Sequence, residues 1–144
     1  MNIRLATPTD AANLGHLASR MWEHAPDELA SEFAVLTASS EAACFLAFDG
    51  DTAIGFAQCQ LRHDYVEGCE SSPVGFLEGI FVAEGYRLTG MGRALLAACE
   101  KWAKDKGCSE FASDCELDNT VSLAWHMKNG FTEMGRTIWF AKKL

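Results

Sequence analysis

Hydrophobic and polar positions along this chain fall into blocks whose period changes several times. Ile3 to Ala6 reads as a short strand. Thr9 or Asp10 then stands as a helix cap before Ala11 to Ala18, and Leu14, Leu17, Ala18 and Met21 fall at helical spacing on one buried face. Pro26-Asp27-Glu28 opens a second helix, with proline early and acids in the first turn, where the helix dipole favours them. Leu29, Phe33 and Leu36 form its apolar stripe. Ala43 to Phe48 is a strand, Asp49-Gly50 a tight turn, and Thr52 to Arg62 the return strand with Ile54, Phe56 and Gln58 on alternate positions. His63 to Pro73 is a polar loop. Val74 to Val82 reads as a buried strand interrupted by Glu78.

Gly90 to Lys106 carries the strongest helical pattern. Leu95, Ala98 and Trp102 line one side, Glu100, Lys101 and Lys104 the other, and Gly107 follows as a C-cap. Glu110 to Asp114 is a short strand. Asp118 or Asn119 caps a further helix running to Lys128 and ending at Asn129-Gly130, and Phe131 to Lys143 holds a final pair of strands around Gly135. There is no internal repeat, linker or low-complexity segment. The order β-α-α-β-β-β-α-β-α-β-β predicts a single α/β (α+β) domain over residues 1–144, built on a mixed sheet.

Composition narrows the function. The net charge of −8 is uneven: residues 1–86 carry 3 basic and 13 acidic side chains, residues 87–144 carry 9 basic and 7 acidic. An acidic front half argues against nucleic acid, which demands Lys and Arg against phosphate. It fits a cationic partner, or solubility alone. No stretch reaches the roughly 20 apolar residues that span a bilayer. Met1 to Pro8 lacks the apolar core of a signal peptide, so the expectation is a cytoplasmic protein with no membrane attachment. The six cysteines contain no C-x-x-C pair and read as free thiols, several of them core residues, with no metal site.

The chemistry concentrates in Arg87-Leu88-Thr89-Gly90-Met91-Gly92-Arg93, between the buried strand and the strongest helix. Glycines at 90 and 92 let a ligand approach the backbone, and a helix N-terminus presents unpaired N–H groups suited to a pyrophosphate. Arg87 and Arg93 add positive charge. The bland alternative is a tight strand-to-helix turn with incidental glycines.

On Arg87-x-x-Gly90-x-Gly92, and on Asn119 opening a helix that ends in Gly130-Phe131, the chain resembles the GNAT superfamily of N-acetyltransferases. Tyr65-Val66-Glu67-Gly68, Ser71 through Val82, Glu110 to Asp114, and Met21-Trp22 with His24 and Pro26-Asp27 look more specifically like the aminoglycoside 6'-N-acetyltransferases. The resemblance implies a mostly antiparallel sheet flanked by helices on both faces, acetyl-CoA as co-substrate without a metal, an aminoglycoside acceptor, and a homodimer. It also implies that pantetheine pairs with Ile80, Phe81 and Val82, that N–H groups of Leu88, Thr89, Gly90, Met91 and Gly92 take the pyrophosphate, and that Asn119 contacts the pantetheine region.

For the acceptor, Glu78 interrupts an apolar strand, and an unpaired buried carboxylate is costly. It is either paired with an arginine or backbone N–H groups, or it binds a substrate ammonium and assists proton removal. Asp114 is a loop or capping residue, or a second acceptor carboxylate. Tyr65 is a packing anchor or a face for sugar rings, and Trp22 a core residue or a substrate contact. The resemblance favours the substrate roles and adds His24 and Glu133, with Gly135 standing where related enzymes carry another acid. It also places His126 where many members of the superfamily have a tyrosine that protonates the leaving thiolate. The expected carbonyl-oxygen donor is a main-chain N–H at a bulge within Ile80 to Val82. Other readings are the same transfer to a polyamine, small metabolite or peptide N-terminus, or a non-catalytic acyl-CoA-binding module.

Overall fold

Alternation along the strands sorts side chains into two apolar layers, and the sheet between them carries the site. A computed structural model describes residues 1–144. Strands β1 (Asn2–Leu5), β2 (Ala42–Asp49), β3 (Thr52–Arg62), β4 (Val74–Val82) and β5 (Phe111–Ser113) form one sheet in that order. Neighbours β1 to β4 are antiparallel, and β5 runs parallel to β4. The helices are α1 (Ala11–Ala18), α2 (Pro26–Ala38), α3 (Met91–Asp105) and α4 (Thr120–Lys128). None is long and apolar enough to cross a membrane.

Leu14 and Leu17 of α1 and Leu29 and Phe33 of α2 pack on Cys44, Leu46 and Phe56, covering one face of the sheet. Leu95, Leu96 and Cys99 of α3 pack on Ala43, Ala57, Cys59 and Leu77, covering the other. Helix α3 is also the crossover that a parallel β4–β5 pair requires. Four of the six cysteines (Cys44, Cys59, Cys99 and Cys108) are buried and all six are free thiols.

Two local expectations are corrected. Asp10 does precede α1, but its carboxylate does not cap that helix. It turns back to the Thr7 N–H at 2.8 Å and to the Arg4 guanidinium at 2.8 Å. Second, Phe131 to Lys143 forms no strands: residues 131–144 carry no regular secondary structure. Ile138, Trp139 and Phe140 are 78%, 88% and 91% exposed there. A strand needs a neighbour for its hydrogen bonds, and within the single chain this segment finds none.

The buried Asp10 makes stability depend on acidity. Hydrogen bonding from Arg4, its largest influence, lowers the carboxyl to about 2. A depressed folded-state value contributes stability that is present above the ordinary carboxyl range and lost as pH falls toward 2. Asp10→Asn is expected to lower Tm by roughly 3–6 °C at neutral pH. The gap from the parent protein should close between pH 4 and pH 2 in thermal melts.

Candidate active site

The loop after β4 holds its backbone in an unusual posture. Leu88 has φ of 62° although it is neither Gly nor Asn, and Gly90, the N-cap of α3, has φ of 86° and ψ of 1°. Positive φ at an apolar residue is uncommon and costs energy, and such strain gathers at functional sites. The main-chain N–H groups of Leu88, Thr89, Gly90, Met91, Gly92 and Arg93 all lack a protein partner; the first satisfied one is Ala94, bonded to the Gly90 carbonyl at 3.0 Å. Six consecutive free donors at the positive end of a fifteen-residue helix make a ready anion cradle. Arg93 is exposed beside it and reaches Asn129 Oδ1 at 3.3 Å. Arg87 donates from Nε to the Val82 carbonyl at 2.9 Å, so part of its guanidinium is engaged with β4.

Strands β4 and β5 diverge beside this loop. They pair only at Gly75, Phe76 and Leu77, opposite Phe111, Ala112 and Ser113. From Glu78 onward β4 has no strand neighbour on that side, so Ile80, Phe81 and Val82 lie on a stretch of β4 paired on one side only. A β-bulge lies on β4, but not within Ile80 to Val82 as expected. Gln58 pairs with Gly79 and Cys59 with Leu77, which leaves Glu78 as the extra residue. Bulges re-aim side chains and kink strands, and here the Glu78 side chain lies with Arg62, whose guanidinium stacks on Phe76.

Glu78 has a partner. Arg62 Nη2 binds both of its oxygens, that to Oε2 at 2.9 Å, while the guanidinium carbon lies 3.5 Å from the centre of the Phe76 ring. The Glu78 side chain is 15% exposed and that of Arg62 is 40% exposed. Of the two sequence readings of Glu78, the arginine-paired one is realised in the free protein. Arg62 is a residue that sequence reasoning missed, and its signal was available: it is one of only three basic residues in the first 86.

The remaining acceptor candidates come from four segments of the chain. Trp22 is half-buried, with its ring 6.5 Å from Phe33 and 6.0 Å from Phe56. It presses on β4 so closely that a Cβ at Gly79 would lie 2.6 Å from it. It is therefore partly core, and the same contact sets it next to Glu78. His24 is exposed, 3.9 Å from Glu28. Tyr65 is 77% exposed, with its hydroxyl 3.4 Å from Glu67. Asp114 follows β5 directly and is exposed. Glu133 is tied to Arg136 at 2.7 Å, in the segment that passes over the Tyr65–Gly68 loop through Met134 against Gly68.

Helix α4 closes the far side. Asn119 Oδ1 accepts the Ser122 N–H at 3.0 Å, so its carbonyl oxygen caps α4 and its amide nitrogen remains for a ligand. Trp125 meets the anion loop, its Nε1 being 3.4 Å from where a Cβ at Gly92 would stand. His126 lies half-buried against Phe131 and binds Ser113. Two of the buried cysteines are held as thiols. Burial pushes the Cys44 thiol up to about 12, and a hydrogen bond with Cys59 together with burial raises Cys99. A nucleophile needs the thiolate, which these environments suppress. No cluster of His, Cys, Asp or Glu has the arrangement of a metal site.

Residues 11–131 match the model of the acetyltransferase (GNAT) family. The chain belongs to that family. Over 99% of its length it is 47% identical to the aminoglycoside N(6')-acetyltransferase type 1 of Stenotrophomonas maltophilia, covering 93% of that protein. Its fold matches the unliganded crystal structure of an aminoglycoside 6'-N-acetyltransferase from Acinetobacter haemolyticus with a TM-score of 0.94 at 38% identity, covering 100% of this chain and 99% of that one. A related acetyltransferase solved with a bisubstrate analogue, CoA-S-monomethyl-acetylneamine, matches with a TM-score of 0.93 at 39% identity, covering 99% and 98%.

The Arg62–Glu78 pair of this acetyltransferase gives a direct test of the cleft's electrostatics. Arg62→Met strands a mostly buried carboxylate and should cost about 1–3 kcal/mol in denaturant unfolding. Adding Glu78→Gln should recover much of that loss, and two costs that merely add would show the pair to be uncoupled.

Proposed function

We propose that this acetyltransferase moves the acetyl group of acetyl-CoA directly to the 6' amine of an aminoglycoside, with both substrates bound together. The observation that carries the reading is the juxtaposition of six free N–H donors with the edge of β4 that is left without a strand partner beyond Glu78. The names of the relatives at 38–47% identity agree with it. The pyrophosphate of CoA would rest on Leu88 to Gly92, with Arg87 and Arg93 adding charge. The pantetheine arm would complete the bare edge at Ile80, Phe81 and Val82 and reach the free amide of Asn119.

The acceptor is a polycation. Glu78 and Asp114 would hold its ammonium groups, displacing Arg62 from Glu78, and Glu78 would help remove the proton that makes the amine nucleophilic. Trp22 and Tyr65 offer flat faces to the sugar rings, with His24 and Glu133 at the rim. A main-chain N–H of β4 beyond the bulge would stabilise charge on the thioester oxygen. His126 stands as the source of the proton that the departing thiolate needs. The reaction belongs in the cytoplasm, where acetyl-CoA is made.

Purified protein supplied with acetyl-CoA and kanamycin, tobramycin or amikacin should release CoA thiol, and product NMR should place the acetyl group on the 6' nitrogen. Release with spermidine or a peptide but with no aminoglycoside would overturn the assignment. Glu78→Gln should raise the aminoglycoside KM roughly tenfold or more, equivalent to about 1.4 kcal/mol, while acetyl-CoA still binds.

The working unit in this reading is a homodimer. Ile138, Trp139 and Phe140 form a nearly fully exposed apolar run at the end of a single chain, and a second copy would bury it. Replacing all three with serine should convert the dimer to monomer in analytical ultracentrifugation. A parent protein that sediments as a monomer would refute the dimer without touching the chemistry.

A further inference from the structure

Ser113 and His126 form a hydrogen-bonded pair where β4 and β5 part. Ser113 is the last residue of β5 and stands opposite Leu77, the last residue of β4 with a neighbour on that side. One residue further along the two strands are Glu78 and Asp114. On the other side of the pair, Trp125 adjoins His126 and touches Gly92 of the anion loop. The Ser113 hydroxyl therefore lies between the phosphate cradle and the acceptor carboxylates, where a thioester spanning the two must sit.

The wiring of the histidine is determined by its partners. His126 Nδ1 is 2.7 Å from the Ser122 carbonyl oxygen, which only accepts, so Nδ1 carries a hydrogen. Nε2 is 2.7 Å from Ser113 Oγ. The ring is held edge-on by Trp125, 5.1 Å away at 90°, and by Phe131, 5.0 Å away at 62°. No carboxylate or basic side chain pairs with it; the groups facing it are Ser113 of β5, Ser122 of α4 and these two rings. Both ring nitrogens are thus engaged, and the imidazole has no free N–H to offer a ligand in the cleft. In the neutral ring Nε2 accepts the Ser113 hydroxyl hydrogen; when Nε2 also carries a hydrogen it donates to Oγ, and the Ser113 O–H is released, its one other neighbour being the Leu77 carbonyl at a loose 3.4 Å.

We propose that Ser113 is the residue that protonates the departing CoA thiolate, with His126 behind it as the proton reservoir. This rests on the acetyl-transfer reading above. When the carbon–sulfur bond of the tetrahedral intermediate breaks, its electron pair goes to sulfur. The sulfur takes the hydrogen of Ser113 Oγ, and Oγ takes the Nε2 hydrogen of the imidazolium form of His126. The acceptor enters as an ammonium ion and loses two protons overall. One is matched by the proton that ends on the thiol, the other passes to solvent, and the imidazole recovers its proton from water.

Ser113→Ala should lower kcat on the order of a hundredfold with the KM values for acetyl-CoA and aminoglycoside little changed. Ser113→Thr, which keeps a hydroxyl, should restore much of the loss. His126→Ala should cost about as much as Ser113→Ala, and the double variant no more than either alone, because the two act as one unit. Thermal melts and acetyl-CoA binding by each variant separate loss of function from loss of fold. If the parent protein acetylates aminoglycosides while folded Ser113→Ala keeps its kcat, the relay is wrong and the acetyl-transfer reading stands. Additive losses in the double variant would likewise overturn the relay. A parent protein that transfers no acetyl group would overturn both.

Discussion

Every strand edge in a folded protein must do something with its N–H and C=O groups, and the site grows from one edge that no other strand of the chain pairs. Strand β4 has a partner on its β5 side for three residues and then none. The meander of β1 to β4 supplies a rigid, doubly covered platform behind that edge, with α1 and α2 on one face and α3 on the other. Because β4 continues straight into the loop and α3, the bare edge leads directly to the six free donors at the helix N-terminus. A ligand that is extended at one end and anionic at the other satisfies both sets at once, which is the shape and charge of an acyl-CoA.

Much of this was legible in the residues. The helices and the first four strands follow from apolar spacing, and the loop from its glycines and arginines, because each depends on neighbours in sequence. What escaped depends on neighbours in space. The bulge at Glu78 exists only in the pairing of β3 with β4, so a sequence reading placed it two residues too late. Arg62 and Ser113 matter through contacts 16 and 13 residues away, with Glu78 and His126. Ser113 gave almost no signal, being a small polar residue at the end of a strand beside a more conspicuous aspartate.

The C-terminal segment shows the converse error. Thr137-Ile138-Trp139-Phe140 has the composition of a strand, and β-branched and aromatic residues do favour that state. Propensity is a statement about a pleated, half-buried surface, and a single copy offers this segment no such surface. Its Met134 nevertheless packs on Gly68, which ties the segment to the loop between β3 and β4.

The bulge on β4 also bears on the packing of the two faces. An extra residue in a regular strand would exchange the two faces for everything beyond it. Here Leu77 and Cys59 pack toward α3, and Phe81 and Phe56 toward α1 and α2, as though position 78 had not been counted. The bulge absorbs the odd residue, so the two apolar layers are in phase on either side of it. The side chain at position 78 is therefore constrained by its ion pair with Arg62 and not by the phase of the two apolar layers.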